Sequence, residues 1–401
     1  MSLSLPKIEE LKANPAWASL PLFDRKGWKK VRFGDVVHNV NDTERNPAEA
    51  GIDRFIGLEH LAPEDLHIKS WGNVADGTTF TRRCRPSQVL FGKRRAYQRK
   101  VAVAEFDAVV SGDIYVLAPK DAQLLPELLS FICMADRFFE YAVGTSAGSL
   151  SPRTNWKSLA TFEFDLPPLD QQRRIAEILW AIDESAVKWG EVQGEAGDYL
   201  SCIRDEHFVK TTSEGTVPLK EIGKWTSGNT PPRSNEQFWH GDLPWVSPKD
   251  MKVSIIENTL ESLTNLGWEK ASRVPEGSIL IVVRGMILAH TFPVAVAGNE
   301  VAFNQDMKAL VVSDEYQEEY IFNWFQWAAP SLLRSISESS HGTKRLTTDV
   351  LFSRKVPKIE IAQQHEFLKT VRATEVLIKK AEDQVHQTRA LGTSILNQIF
   401  R

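Results

Sequence analysis

LPPLDQQRRIAEILWAID, residues 166–183, stands close to the midpoint of a 401-residue chain. Two prolines end whatever extended segment precedes them, and Asp170 is placed to cap the helix that the following apolar spacing predicts. A weaker copy, KIEIAQQHEFLKTVRATE, returns at 358–375. Shifting the sequence by 192 residues lays Gln171-Gln172 on Gln363-Gln364, Ala181 on Ala373, Lys188 on Lys380 and Phe208 on Phe400 without a gap. Identities are sparse, so the hydrophobic period carries the comparison.

The period is that of a coiled coil. Ile175, Ile182, Trp189, Ala196 and Ile203 recur every seven residues, and Leu179, Ala186, Gln193, Leu200 and His207 follow each by four. The second copy repeats the rows as Phe367, Thr374, Ala381, Thr388, Ile395 and Val371, Ile378, Val385, Gly392, Ile399. A 4-3 repeat over about five heptads predicts the seam of a long helix pair, each member ~50 Å long at 1.5 Å per residue. Gly190, Gly194 and Gly197 weaken the first helix and mark either close backbone approach or a break.

The segments before the helices also correspond. VRFGDV (31–36) matches VPLKEI (217–222), FIGLEHL (55–61) matches WVSPKDM (245–251), QVLFGKR (88–94) matches SILIVVR (278–284), and DIYVL (113–117) matches DMKAL (306–310). An amphipathic helix near 124–141 and another near 316–337 follow, then a polar loop, GTSAGSL or SSHGTKRL. The expected class is α+β: two pseudo-repeated globular domains separated by two long antiparallel helices. The expected boundaries are 1–163 for the first domain with an N-terminal extension, 164–210 for the central helix, 211–357 for the second domain and 358–401 for the last helix.

These residues resemble one family, the DNA-specificity subunits of Type I restriction–modification enzymes. The resemblance rests on LPPLDQQRRIAEIL followed by a long helix, on the terminal copy, and on globular regions opening with motifs such as GWKKVRFGDV. It implies that each globular half is a target recognition domain reading one part of a split, asymmetric DNA site. The helices would hold the domains apart and set the unread spacer. It further implies two methyltransferase subunits docked on the helices and a translocating restriction subunit, with S-adenosylmethionine, ATP and Mg on those partners and no cofactor or catalytic residue on this chain.

Charge is compatible once mapped. The net charge is −4, yet Arg173 to Phe208 alone holds four bases against eight acids. TRRCRPSQVLFGKRRAYQRK, residues 81–100, has no acid at all. There Arg82, Arg83, Arg85, Lys93, Arg94, Arg95, Arg99 and Lys100, with Tyr97 among them, are candidates for phosphates and guanine edges. Ser146 and Ser149 in the first polar loop, and His341, Lys344 and Arg345 in the second, are candidates for the same duplex. Arg284, Asn304 and Gln305 follow strand-like runs and suit base edges; Arg233 and Asn235 are weaker. The alternative to DNA readout is a helical scaffold that binds only proteins. A nuclease or methyltransferase with an unrecognised site is a further rival.

NTPPR (229–233) is similar to the Asn-Pro-Pro-aromatic signature of amino-methyltransferases, but Thr230 interrupts it and Arg233 replaces the aromatic, so it reads as a turn. No Gly-x-x-x-x-Gly-Lys loop is present, and the nine histidines lack metal-ligand spacing. Cys84, Cys133 and Cys202, distant and odd in number, read as filler in a reducing cytoplasm. The opening residues show no signal-peptide pattern, and no apolar run reaches membrane-spanning length.

Overall fold

The computed structural model describes residues 24–338 and 342–401, which form two compact units. Of the described residues, one unit contains 24–191 together with Glu382–Arg401, and the other those between Val192 and Ala381.

In the first unit Val37–Val40, Ile114–Pro119, Val89–Gly92 and Val101–Val103 lie in that order in an antiparallel sheet. The last three of these strands are largely apolar on both faces, and their pleat sorts the side chains. Val89, Phe91, Val101, Tyr115 and Leu117 face helices α1 (Pro126–Met134) and α2 (Asp136–Gly144), while Leu90, Ala102, Ile114 and Val116 face a second sheet. That sheet runs Gly72–Asn73, Arg54–Ile56, Ala108–Val110, Arg82–Cys84, with its middle pair parallel. Lys29–Arg32 pairs with Glu163–Leu166, so chain entry and exit are zipped side by side.

The second unit repeats this plan strand for strand. Gly223–Ser227, Met307–Val312, Ile279–Val282 and Val294–Ala297 take the places of the first sheet, with Ile255–Ile256 added at its edge. Glu261–Leu263, Trp239–Val246, Val301–Phe303 and Arg273–Val274 take the places of the second, again with a parallel middle pair. Thr216–Pro218 pairs with Lys355–Pro357 as the neck. All four segment correspondences expected from the sequence fall on equivalent elements. The helical stretch differs. In the first unit the chain turns extended at Ala135 (ψ 140°) and splits α1 from α2, whereas the second carries one helix, α3 (Glu318–Leu333).

Two long helices, α4 (Leu169–Glu214) and α5 (Ile361–Ile399), complete the chain. The first turn of α4 is closed by the Gln172 N–H on the Pro168 carbonyl, 2.9 Å. Asp170 therefore sits inside that turn, where its charge favours the helix dipole, and is not the cap. Within each unit the two helices run in opposite directions. In the first, Phe164 packs on Phe400 and Ile182 on Gly392, where an added Cβ would come within 3.1 Å. In the second, Gly215 accepts from Lys358 N–H (3.0 Å), His207 stacks on Phe367 (4.1 Å) and Arg204 pairs with Glu375 (3.5 Å).

Of the seam positions, Ile175, Leu179, Leu200, Phe367, Val371 and Ile399 are buried, and Ile182, Trp189, Ile203, Ile378, Val385 and Ile395 half-buried. Gly190, Gly194 and Gly197 neither break the helix nor admit a close neighbour: a Cβ on each would meet open space among the described residues. Cys84 and Cys133 are buried, with the Cys84 thiol pushed up to about 12 by burial, but Cys202 is exposed and is not core filler.

The QQ motif has a structural explanation. Gln172, 1% exposed, donates to the carbonyls of Gln123 (2.7 Å) and Pro167 (2.8 Å) and accepts from Leu125 N–H (2.9 Å). Gln364, fully buried, donates to Glu315 (2.8 Å) and Ile359 (3.3 Å) and accepts from Gln317 N–H (2.9 Å). Each clamps the start of its long helix to the turn that opens the helix of its globule.

Two histidines give the units opposite pH responses. In the first unit His67 Nε2 is 2.7 Å from Asp183 and Nδ1 is 3.3 Å from Glu105. The hydrogen bond to Asp183 raises its pKa to about 9. A raised folded pKa contributes stability in full below the unfolded value near 6.5 and loses it as pH climbs through 9. In the second unit burial lowers His207 to about 4, so stability falls as pH drops from 6.5 toward 4. Each shift is bounded at roughly 3 kcal/mol, less for a ring as exposed as His67. Melting curves at pH 5, 7 and 9.5 should show His67→Gln abolishing most of the alkaline loss and leaving the acid loss intact; an unchanged alkaline limb refutes the assignment.

Candidate nucleic-acid interface

The run 81–100 is not gathered on one surface, because strand geometry and local partners divide it. Arg83 points to Asp107 (3.1 Å) and Arg85 to Asp42 (2.6 Å). Arg99 is held by Glu64 (2.6 Å), Asp136 (2.7 Å), the Met134 carbonyl (3.0 Å) and the Phe139 ring. Lys100 donates to the Leu58 carbonyl, 2.6 Å. These four are tied into the fold. Arg82, on the opposite strand face from Arg83, reaches Asn39, Asn41 and the Ile114 carbonyl.

Arg82 thereby approaches a cluster built by three pieces: the end of strand Val89–Gly92, the start of strand Ile114–Pro119, and the hairpin Ser146–Ala147/Arg153–Thr154. Asp113 is its centre. Arg153 forks onto it (Nε 2.7 Å, Nη2 3.2 Å), and Arg94 Nη1 lies 3.6 Å away with Nε on Ser151 Oγ (2.8 Å). Lys93 lies over the Tyr115 ring, its pKa lowered by burial first and by Arg82 and Arg153 as well. The Arg153 hydrogen bond holds the Asp113 carboxyl below its usual range. Arg82, Lys93, Arg94 and Arg153 thus face one acid, and the surplus is positive.

Beside the cluster the chain makes a turn, Ala96–Gln98, flanked by Arg95 (φ 54°) and Arg99 (φ 53°), two non-glycine residues in the left-handed region. The strain of such positions is borne by the anchors, Arg95 N–H on the Pro152 carbonyl and the four partners of Arg99. Its product is an outward tip: Tyr97 is 56% exposed, and the Arg95 guanidinium is exposed without a partner among the described residues. Ser149 lies exposed on the hairpin, whereas Ser146 Oγ is used internally, on the Ala142 carbonyl (2.7 Å) and Thr154 Oγ1 (3.0 Å).

The second unit rebuilds the cluster at equivalent positions. Arg284 bonds Asp306 (2.6 Å), Arg345 bridges to Arg284 across the hairpin Ser337–Glu338/Lys344–Arg345, and Lys308 is lowered by burial and by Arg345. Lys344 is half-buried on the same hairpin and Gln305 is exposed one residue before Asp306, bonded to Thr230. Asn304 is half-buried and its Oδ1 accepts the Asp306 N–H, 2.6 Å. His341 lies outside the described residues. Arg233 is bound to Glu261 and lies over the Trp239 and Trp245 rings, and Asn235 caps the turn at Gln237, so both have partners within the fold.

Asp113, Arg153, Asp306 and Lys308 are not among the residues expected from the sequence alone. DIYVL and DMKAL, each opening on an aspartate after the matched basic strand ends, contained the signal for the first and third. Among the described residues no group of three His, Cys, Asp or Glu is placed to hold a metal, and no helix is long and apolar enough to cross a membrane.

A family model described as the type I restriction modification DNA specificity domain matches twice, over residues 25–189 and 213–387. The chain is 31% identical over 202 residues to the EcoR124I/EcoR124II specificity subunit of Escherichia coli, covering 48% of this chain and 50% of that one. It is 30% identical over 155 residues to the MjaIX specificity subunit of Methanocaldococcus jannaschii, 35% of each. Half or less of the length of these relatives is therefore spanned. The HindI specificity subunit of Haemophilus influenzae is 21% identical, over 90% of this chain and 96% of that one. Among solved structures, a chain from a study of complex assembly and conformational transition of the type I R-M system matches with TM-score 0.62 at 18% identity, covering 94% of this chain and 98% of that one. The type I S subunit from M. genitalium matches with TM-score 0.54 at 13% identity, covering 94% and 96%. At such identities these two speak for the fold. The double family match falls on the two sheet-bearing repeats, and the chain belongs to the type I restriction modification DNA specificity domain family.

Proposed function

We propose that this chain is the DNA-reading subunit of a type I restriction–modification complex, each unit recognising one half of a bipartite, asymmetric duplex site. The observation that carries the reading is the repeated cluster. Arginines on the same strand end and the same hairpin, around the same aspartate, recur in two units whose surrounding sequences differ. Repetition of position with divergence of detail is what two readers of two different half-sites require. Catalysis lies with partners: two methyltransferase subunits using S-adenosylmethionine, and a restriction subunit using ATP and Mg.

The test is binding of the purified complex to its own duplex across a salt series. Arg94→Ala with Arg95→Ala should weaken binding about tenfold at moderate salt and reduce the slope of log K against log salt by about one to two. Equal affinity and slope for wild type and variant would remove this cluster from the interface and favour a scaffold role for the chain.

A further inference from the structure

We propose that Asp113 and Asp306 are the specificity-determining positioning residues of the two units, each fixing one arginine of its pair so that the guanidinium reads a base edge. The proposal rests on the DNA-reading role above and deepens it.

Both carboxylates are held in place by the same device. The Asp113 N–H is accepted by Ser111 Oγ (3.2 Å) and the Asp306 N–H by Asn304 Oδ1 (2.6 Å), each acceptor two residues upstream. The aspartate carbonyls accept Lys93 N–H (2.9 Å) in one unit and Val283 N–H (2.9 Å) in the other. The hairpin then closes on the same strand end, Thr154 N–H to the Lys93 carbonyl and Leu346 N–H to the Val283 carbonyl. These bonds make Arg94 equivalent to Arg284, and Arg153 to Arg345.

The carboxylate chooses differently in the two units. Asp113 forks onto the hairpin arginine, Arg153. Asp306 takes the strand-end arginine, Arg284. In the fork, Nε and one N–H of Nη2 are engaged, and Nη1 has no partner among the described residues although the side chain is half exposed. A guanidinium fixed by its inner edge presents its outer donors in a defined plane, the geometry that guanine O6 and N7 select. A phosphate accepts donors from many directions and needs no guanidinium fixed in advance, and for phosphate binding alone a carboxylate in the cluster is only repulsive. Its presence at the same position in both units is accounted for by positioning.

The sign of the expected result separates this from an ordinary loss of binding. Asp113→Asn keeps the side-chain shape and removes a negative charge. The complex carrying it should bind unrelated duplex DNA several-fold more tightly and discriminate its own site from unrelated DNA ~10-fold less, the scale of one bidentate base contact. Mapping methylated bases in cells should show relaxed choice in one half of the motif for Asp113→Asn and in the other half for Asp306→Asn. If Asp113→Asn lowers the melting temperature of the complex by more than a few degrees, Arg153→Lys replaces it, keeping charge while losing the fork, and should relax the same half-site. Two variants that retain the full wild-type motif overturn the positioning role while the DNA-reading function stands. A wild-type complex that methylates no bipartite motif removes that function itself.

Discussion

Replacing Gln172 with leucine should lower the stability of the first unit by roughly 3–5 kcal/mol, although the substitution touches neither the cation cluster nor the helix seam. The side chain satisfies two carbonyls and one N–H, contributed by Gln123, Pro167 and Leu125. Leucine fills similar space and satisfies none of them. An orphaned buried polar group costs about 1–3 kcal/mol, so three of them give the estimate even where water reaches one. For a unit of this size the shift is about 10 °C in the unfolding temperature, readable by calorimetry. Gln171→Leu is the internal control. Gln171 only accepts the Trp28 indole N–H (2.5 Å) at a partly exposed edge, and its loss should cost about 1 kcal/mol. Gln364→Leu should act on the second unit as Gln172→Leu acts on the first. A Gln172→Leu chain melting within 2 °C of wild type would show that the clamp contributes little.

The same glutamines mark how far the sequence could be read. That a Gln–Gln pair recurs with a 192-residue shift is visible in the letters, and so is the 4-3 apolar period, because both are local regularities. The strand correspondences were equally legible, since a buried strand writes itself as a short apolar run bounded by turns. Which glutamine is buried was not, because the answer depends on backbone groups some 50 residues upstream in sequence. The division of the basic run was hidden for a related reason. Eight cations in twenty residues look like one surface, but a pleat sends Arg82 and Arg83 to opposite faces, and Arg99 finds its carboxylates at positions 64 and 136. Asp113 was hidden by the same distance: its fork to Arg153 joins residues 40 apart. Local pattern gives elements and their order; a site assembled from three separated pieces becomes visible only when tertiary pairing brings them together.

Exchanging residues 216–357 for those of a relative should replace one half of the methylated motif outright and leave the other half untouched. The cut falls in the neck, where Thr216–Pro218 and Lys355–Pro357 pair, so both strands of the ribbon come from one parent and the ladder is kept. Everything that forms the second cluster lies inside the exchange: Arg284, Asp306, Lys308 and Arg345. The constraint on the donor comes from α3, whose face packs on the long helices. Tyr320 bonds His207 (3.1 Å), Asn323 accepts from Arg204 (2.8 Å) and Trp327 donates to Asp205 (2.7 Å). A donor lacking this trio would leave Arg204 with Glu375 alone and the His207 ring nitrogen without its tyrosine in a largely apolar contact, at a cost of a few kcal/mol, and the chimaera would fail by unfolding instead of by misreading. With the trio retained, the first unit keeps its own sheets, its own neck and its own Asp113 cluster, none of which draws a residue from the exchanged segment. Sequencing of methylated DNA from cells expressing the chimaera with the native partner subunits reads the outcome directly. Alteration of both halves would mean that readout is shared between the units, and the assignment of one half-site to each cluster would have to be abandoned.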